Sequence, residues 1–316
     1  LSATGAASEV WELTALLDGG FRVTARFQIT NEGPGERNAL AFGHVLRPGV
    51  APAPFQNARR EGAWRLSPDG RRIEIGSSLL VLSDGARHFE VDNDKRRVKV
   101  FLDWKQDAET RAVPGLRAGY GIDVLQLATP VRGRIQVAEM SAPRAVEGTL
   151  TLTRTKMDLA ESALVLRRLE VIGAERGRGL YFLDLLDPDG ATVSWLWATG
   201  PGAQAPPPGD LVVASGGPAT GLPGYAVPRR WTLRAPGIEG HLTLGGSILE
   251  VDPLAALPSF LRMVYSLRGR PHRSWTDARF DLSLASGAEQ AASRWAGDAV
   301  AILTFLDRLP PAPQHP

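Results

Sequence analysis

Apolar and polar residues alternate over short stretches along most of the chain. Phe21, Val23, Ala25, Phe27 and Ile29 fall on one side of an extended segment, with Arg22, Thr24, Arg26 and Gln28 on the other. A period of two is the pattern of a strand with one buried face. The run Asn31-Glu32-Gly33-Pro34-Gly35 then reverses the chain, since glycine and proline supply the dihedrals a turn needs. Leu40, Phe42, His44 and Leu46 share one side of the next segment. The alternation returns at Val98-Val100-Leu102-Trp104, Ile135-Val137, Leu150-Leu152 and Val193-Trp195-Trp197. It continues at Trp231-Leu233, Leu242-Leu244 and Ala278-Phe280-Leu282-Leu284, with turns such as Pro68-Asp69-Gly70 and Pro188-Asp189-Gly190 between strands. Many short strands and few helices predict an all-β fold of sandwich or barrel type, not a βαβ fold.

Two segments read as helices. Asp252-Pro253 is a start signal, a capping carboxylate followed by proline at the first helical position, and Pro258 would kink the helix that follows. From Gly287 to Leu309, the residues Ala292, Trp295, Ala299, Ile302, Phe305, Leu306 and Leu309 recur at helical spacing, which predicts a C-terminal amphipathic helix packed on the outside of a barrel. Docking of that helix on a membrane surface is the alternative. MSAPRAVEG interrupts the strand pattern near 139–150, so the expected division is a first barrel over 1–142, a second over 143–286, and a helix and tail over 287–316. Pro201–Pro208 reads as a long loop inside the second half.

With 316 residues, 43% of them apolar, the chain can bury two cores of ordinary size. No apolar run reaches the roughly 20 residues a spanning helix needs; the longest candidate, Leu159 to Ile172, is broken by Glu161, Arg167, Arg168 and Glu170. The net charge is +2. Basic pairs such as Arg71-Arg72, Arg167-Arg168 and Arg229-Arg230 are scattered and read as solvated surface charge rather than a nucleic-acid face. The absence of cysteine excludes a disulfide scaffold, a thiolate metal site and a cysteine nucleophile. The first residue is Leu1, in the small polar stretch LSATGAAS, so export to the periplasm is a mild expectation.

The chain contains no phosphate-binding loop, no GxGxxG unit, no HExxH and no GxSxG. The five histidines are dispersed, so no metal and no cofactor is expected. The candidates for contact with a ligand are therefore aromatic and polar residues on strands: Phe42, His44, Trp104, Tyr120, Trp195, Trp197, Tyr265 and Trp275. A β-barrel cavity holds apolar ligands by such a lining. Trp275, Asp277, Arg279 and Asp281 share one side of a strand. Facing inward, Asp277 would be a buried acid able to protonate an olefin; facing water, it belongs to an Arg–Asp ladder. The apolar opposite side, Ala278-Phe280-Leu282-Leu284, favours water.

Several stretches resemble the survival-factor family first described in yeast, a tandem lipocalin-like family. EVWELTALLDGGFRVTARFQITNEG (9–33) resembles its first strands, and SAPRAVEGTLTLT (141–153) resembles its segment near the junction of two barrels. LYFLDLLDPDGATVSWLWATGP resembles paired strands early in its second barrel. EVDPLAALPSFLRMVYSLRGRPHRSW (250–275) is similar to its late helix and loop. The resemblance implies two tandem lipocalin-like barrels and the carriage of a hydrophobic ligand. The same superfamily includes carotenoid hydratases and fungal pericyclases.

The leading expectation is thus a non-enzymatic protein that binds a lipid, a ceramide-like molecule or an isoprenoid, with peripheral membrane contact as a secondary expectation and no nucleic-acid partner. The alternative is a hydratase, isomerase or cyclase acting on an apolar isoprenoid or polyketide-like substrate. A third reading is a purely structural module whose barrels are filled by side chains.

Overall fold

The structure, a computed structural model, describes residues 7–31, 37–83, 85–105, 109–175, 177–200, 210–222, 225–252, 271–284 and 293–306. The chain divides into two units, Leu1–Ala160 and Glu161–Pro316. In the first, the strands are β1 (Ser8–Leu17), β2 (Arg22–Thr30), β3 (Asn38–Arg47), β4 (Val50–Arg59), β5 (Trp64–Leu66), β6 (Arg72–Ile75), β7 (Ser78–Ser83), β8 (Ala86–Asn93), β9 (Val98–Trp104), β10 (Arg111–Ala112), β11 (Tyr120–Gln136) and β12 (Arg144–Met157). The second begins with a single helical turn, α1 (Glu161–Leu164). It continues with β13 (Arg167–Glu175), β14 (Arg178–Leu186), β15 (Thr192–Thr199), β16 (Val212–Leu222), β17 (Tyr225–Ala235), β18 (Ile238–Val251), β19 (His272–Leu284) and β20 (Ser293–Phe305).

Each unit is one antiparallel sheet curled into a nearly closed barrel. The first runs β4-β3-β2-β1-β12-β11-β9-β8-β7-β6-β5, with β10 on β11; the second runs β15-β14-β13-β20-β19-β18-β17-β16. Side chains bridge the ends of the first sheet. Asn57 Nδ2 on β4 donates to Ser78 Oγ on β7 at 2.9 Å, and Trp64 Nε1 on β5 donates to the carbonyl of Arg37 at 2.8 Å. The all-β expectation holds.

The inward faces are those that the period of two predicts. In the first unit Trp11, Phe27, Phe55, Phe89 and Leu102 belong to one buried cluster, where Phe27 meets Phe89 edge to face at 6.0 Å. In the second, Leu169, Phe182, Trp231, Phe280 and Leu303 do the same. Phe280 meets Trp295 edge to face at 4.8 Å and occupies the space above two glycines. A Cβ on Gly173 would lie 2.6 Å from its ring, and one on Gly297 would lie 2.8 Å away.

Two expectations are corrected. Ser293–Phe305, expected within a C-terminal helix, is strand β20, paired with β13 and β19. Trp295, Ala299, Ala301, Leu303 and Phe305 join the core, while Val300 and Ile302 on the other face are also buried. A strand buried on both faces reads as a continuous apolar run, which periodicity alone does not separate from a helix. Further, β12 lies between β1 and β11 of the first sheet, so the division falls at 160/161 and not at 142/143. The helix expected after Asp252 and the loop Pro201–Pro208 lie outside the described residues.

Candidate active site

β13 carries the segment Arg167-Arg168-Leu169-Glu170-Val171-Ile172. Leu169 and Val171 enter the core, so Arg168, Glu170 and Ile172 point to the other face. That face is buried too: Arg168 and Glu170 are each 2% exposed. The strand register sets three rows of side chains across it. Trp195, Leu183, Glu170, Ile302 and Trp275 form the first. Trp197, Tyr181, Ile172, Val300 and Asp277 form the second, and Val193, Leu185, Arg168, Thr304 and Arg273 the third.

At the centre is a buried triad. Tyr181, fully buried, donates its phenolic hydrogen to Glu170 Oε1 at 2.6 Å. Arg168 Nη2 donates to the same oxygen at 2.9 Å. Arg168 Nε lies 2.9 Å from Glu170 Oε2, at an angle that makes an ion-pair contact rather than a hydrogen bond. The Glu161 carboxylate, from the first turn of α1, lies 3.6 Å from Arg168 Nη1. Two carboxylates thus share one buried guanidinium, Glu170 buried with it and Glu161 partly exposed. Burying a carboxylate is tolerated only with such a partner, because an isolated ion loses its hydration. Tyr181 lies edge-on to Trp195 at 6.0 Å, and Trp195 is 6.2 Å from Trp197, giving the triad an aromatic wall.

The structure brings four sequence candidates onto this face. Trp195, Trp197 and Trp275 are buried there, with the Arg273 guanidinium 4.9 Å over the Trp275 ring. Asp277 shares the face but is exposed at its margin. The buried-acid reading of Asp277 is therefore replaced by the water-facing one, and the buried acid of this face is Glu170.

The remaining candidates fall elsewhere. Trp104 is part of the packed core of the first unit. Phe42, His44 and Tyr120 lie on the face of the first sheet opposite its core. His44 stands in a row with Thr24, Thr14 and Thr151, and Phe42 in a row with Arg26, Glu12 and Thr153. Arg26 and Glu12 form an ion pair at 3.3 Å. Tyr120 opposes Met157, next to Ser8. Tyr265 lies outside the described residues. Among the described residues no three His, Cys, Asp or Glu side chains gather as a metal site.

Sequence reading missed Arg168, Glu170 and Tyr181. It treated Arg167-Arg168 as surface charge and Glu170 as an interruption of an apolar run. The available signal was their spacing: charges at 168 and 170 alternate with Leu169 and Val171, so both charges lie on one face of an otherwise apolar strand.

No family model matches the chain, and no curated protein does. Solved structures match over nearly its whole length. An AttH-like protein from Nitrosomonas europaea superposes with a TM-score of 0.67 at 13% identity, covering 94% of this chain and 92% of that one. Kievitone hydratase from Nectria haematococca gives 0.56 at 10% identity, covering 96% and 90%. CghA in complex with Sch210972 gives 0.61 at 10% identity, covering 96% and 89%. The chain has the fold of AttH-like and hydratase proteins. The expectation of a non-enzymatic protein is corrected on this ground: the fold is shared with a protein named as a hydratase, so it does not favour carriage over catalysis.

Proposed function

We propose that the protein is an enzyme of the hydratase, isomerase or cyclase type acting on an apolar, isoprenoid or polyketide-like small molecule, with Tyr181 and Glu170 as its proton-handling pair. The observation that carries this reading is the 2.6 Å hydrogen bond from Tyr181 to a buried carboxylate that Arg168 holds, beside Trp195 and Trp197.

A phenol that already donates to a carboxylate can accept a second proton on its own oxygen as it passes the first one on. An attacking water or a substrate hydroxyl gives its proton to Tyr181, and the Tyr181 proton moves to Glu170; the reverse transfer returns a proton to the substrate. Hydration, double-bond migration and ring closure of this kind all need one proton removed and one delivered, with no redox change. Arg168 offsets the charge of Glu170 through the cycle, and Trp195 and Trp197 supply apolar surface for the substrate. General acid–base catalysis of this kind contributes about 10²–10⁴ in rate. The likeness to kievitone hydratase and CghA supports the class of reaction and not the substrate.

The test is incubation of the purified protein with prenylated phenols and farnesyl alkenes in heavy-oxygen water, read by mass spectrometry. Gain of one labelled water, or an isomeric product, with loss of turnover in Glu170→Gln and Tyr181→Phe, is the expected result. Turnover unchanged in both folded variants would remove the pair from the mechanism.

A further inference from the structure

The first unit carries a cavity that uses none of the residues of the triad. β5 is the end strand of the first sheet, so one of its edges has no paired strand among the described residues. Along it lies a cavity of about 630 Å³ whose lining includes Arg37, Glu61, Trp64, Arg65, Arg72 and Glu74. That volume falls within the roughly 300–1,000 Å³ of small-molecule sites.

One part of the lining is held in place. The Trp64 indole donates its N–H to the Arg37 carbonyl at 2.8 Å, and the Arg37 guanidinium lies 5.4 Å from the centre of the same ring. Arg37 adopts a left-handed backbone with φ of 50°, which a non-glycine residue keeps only where its surroundings enforce it. Trp64 and Arg37 thus form an aromatic and cationic pair whose guanidinium stays half-exposed.

The other cations are available to a ligand. The Arg37–Glu61 and Arg72–Glu74 contacts are long, 3.9 and 3.7 Å, and solvent-exposed, so they hold their partners weakly. Arg65 faces Glu74 across the β5–β6 pairing, and its guanidinium has neither an ion pair nor a hydrogen bond among the described residues. Three guanidinium groups against two carboxylates leave the cavity positive. Guanidinium groups match a carboxylate in planar, two-point fashion, and the parts of Trp64 and Leu66 that the core of the first unit leaves uncovered add apolar surface.

We propose that this cavity binds a small amphipathic anion, a carboxylate carried on a flat apolar body, with Arg65 as its principal anchor. The experiment is calorimetric titration of the full chain with naphthoate, using naphthylmethanol as the neutral isostere and inorganic phosphate as the anion without an apolar body. The indole N–H resonance of Trp64, assigned by its disappearance in Trp64→Phe, reports the location by NMR. Saturable naphthoate binding that moves this resonance is expected, with naphthylmethanol and phosphate at least about tenfold weaker and Arg65→Ala weakening naphthoate about tenfold. No saturable binding overturns the proposal, as does equal affinity in Arg65→Ala or for naphthylmethanol. Naphthoate binding that leaves Trp64 unmoved overturns it as well. Tyr181→Phe binds naphthoate like the native chain, so the fate of this site is read separately from that of the triad.

Discussion

Tyr181 and Glu170 stand on neighbouring strands, offset by two residues in register, and are joined by a 2.6 Å hydrogen bond on the face of the second sheet that its core does not use. Neither side chain is accounted for by core packing: each is polar, buried, and directed at the other. Burial makes the bond strong and makes the loss of either partner expensive.

Removing the carboxylate takes from the buried Arg168 charge its 2.9 Å partner and leaves the Glu161 carboxylate farther off, at 3.6 Å. Glu170→Ala should therefore destabilise the second unit by about 3–5 kcal/mol, whereas the double variant Arg168→Met/Glu170→Leu should recover most of that loss. Urea unfolding of the three proteins measures it. A double variant no more stable than Glu170→Ala would mean that the rest of the face does not tolerate apolar replacement.

Tyr181→Phe keeps the ring and its edge contact with Trp195 but removes the hydrogen bond to an ionised acceptor. A stability loss of about 1.5–3 kcal/mol is expected by denaturant unfolding. On any substrate found for the protein, kcat should fall by about a hundredfold or more. A normal kcat would show that Glu170 works without the phenol.

Asp277 stands on the same face yet meets water. Asp277→Asn should leave turnover within about twofold of the native value and stability within about 0.5 kcal/mol. Loss of turnover in this folded variant would return the acid role to Asp277.

Gly173 and Gly297 clear the space that Phe280 fills. Gly173→Ala forces its new methyl group against the Phe280 ring and should destabilise by about 1–3 kcal/mol. Trimming the ring in Gly173→Ala/Phe280→Leu should relieve part of that loss. A double-mutant cycle by thermal unfolding reads the coupling, and additive effects would disprove the steric account.

The Arg294 guanidinium, hydrogen-bonded to Asp281 at 2.8 and 2.6 Å, holds the Asp281 carboxyl below its ordinary value of 3.8. A lowered folded-state value means that this link between β19 and β20 contributes stability above the unfolded-state value and loses it as pH falls through the lowered one. Native protein and Asp281→Asn should thus differ in unfolding midpoint at neutral pH and converge in strong acid. A difference that persists in strong acid would show another cause. The link is exposed, so the difference shrinks with salt.

The sequence by itself determined the strands with one apolar face and one polar face. In Phe21–Ile29 and Ala278–Leu284 the alternation names the core side correctly, because the apolar residues fill the core face and the polar ones the opposite face, at a period of two. It also placed Trp195 with Trp197, and Trp275 with Asp277, on shared faces. Tertiary structure alone decided what happens where both faces are buried. In β20 the alternation is lost in a continuous apolar run that reads equally as a helix. In β13 the charges Arg168 and Glu170 look like surface residues until Tyr181, eleven positions after Glu170, is brought across from β14 to satisfy them. A sequence records which residues are polar; whether a polar residue faces water or a partner depends on which strands pair, and in what register.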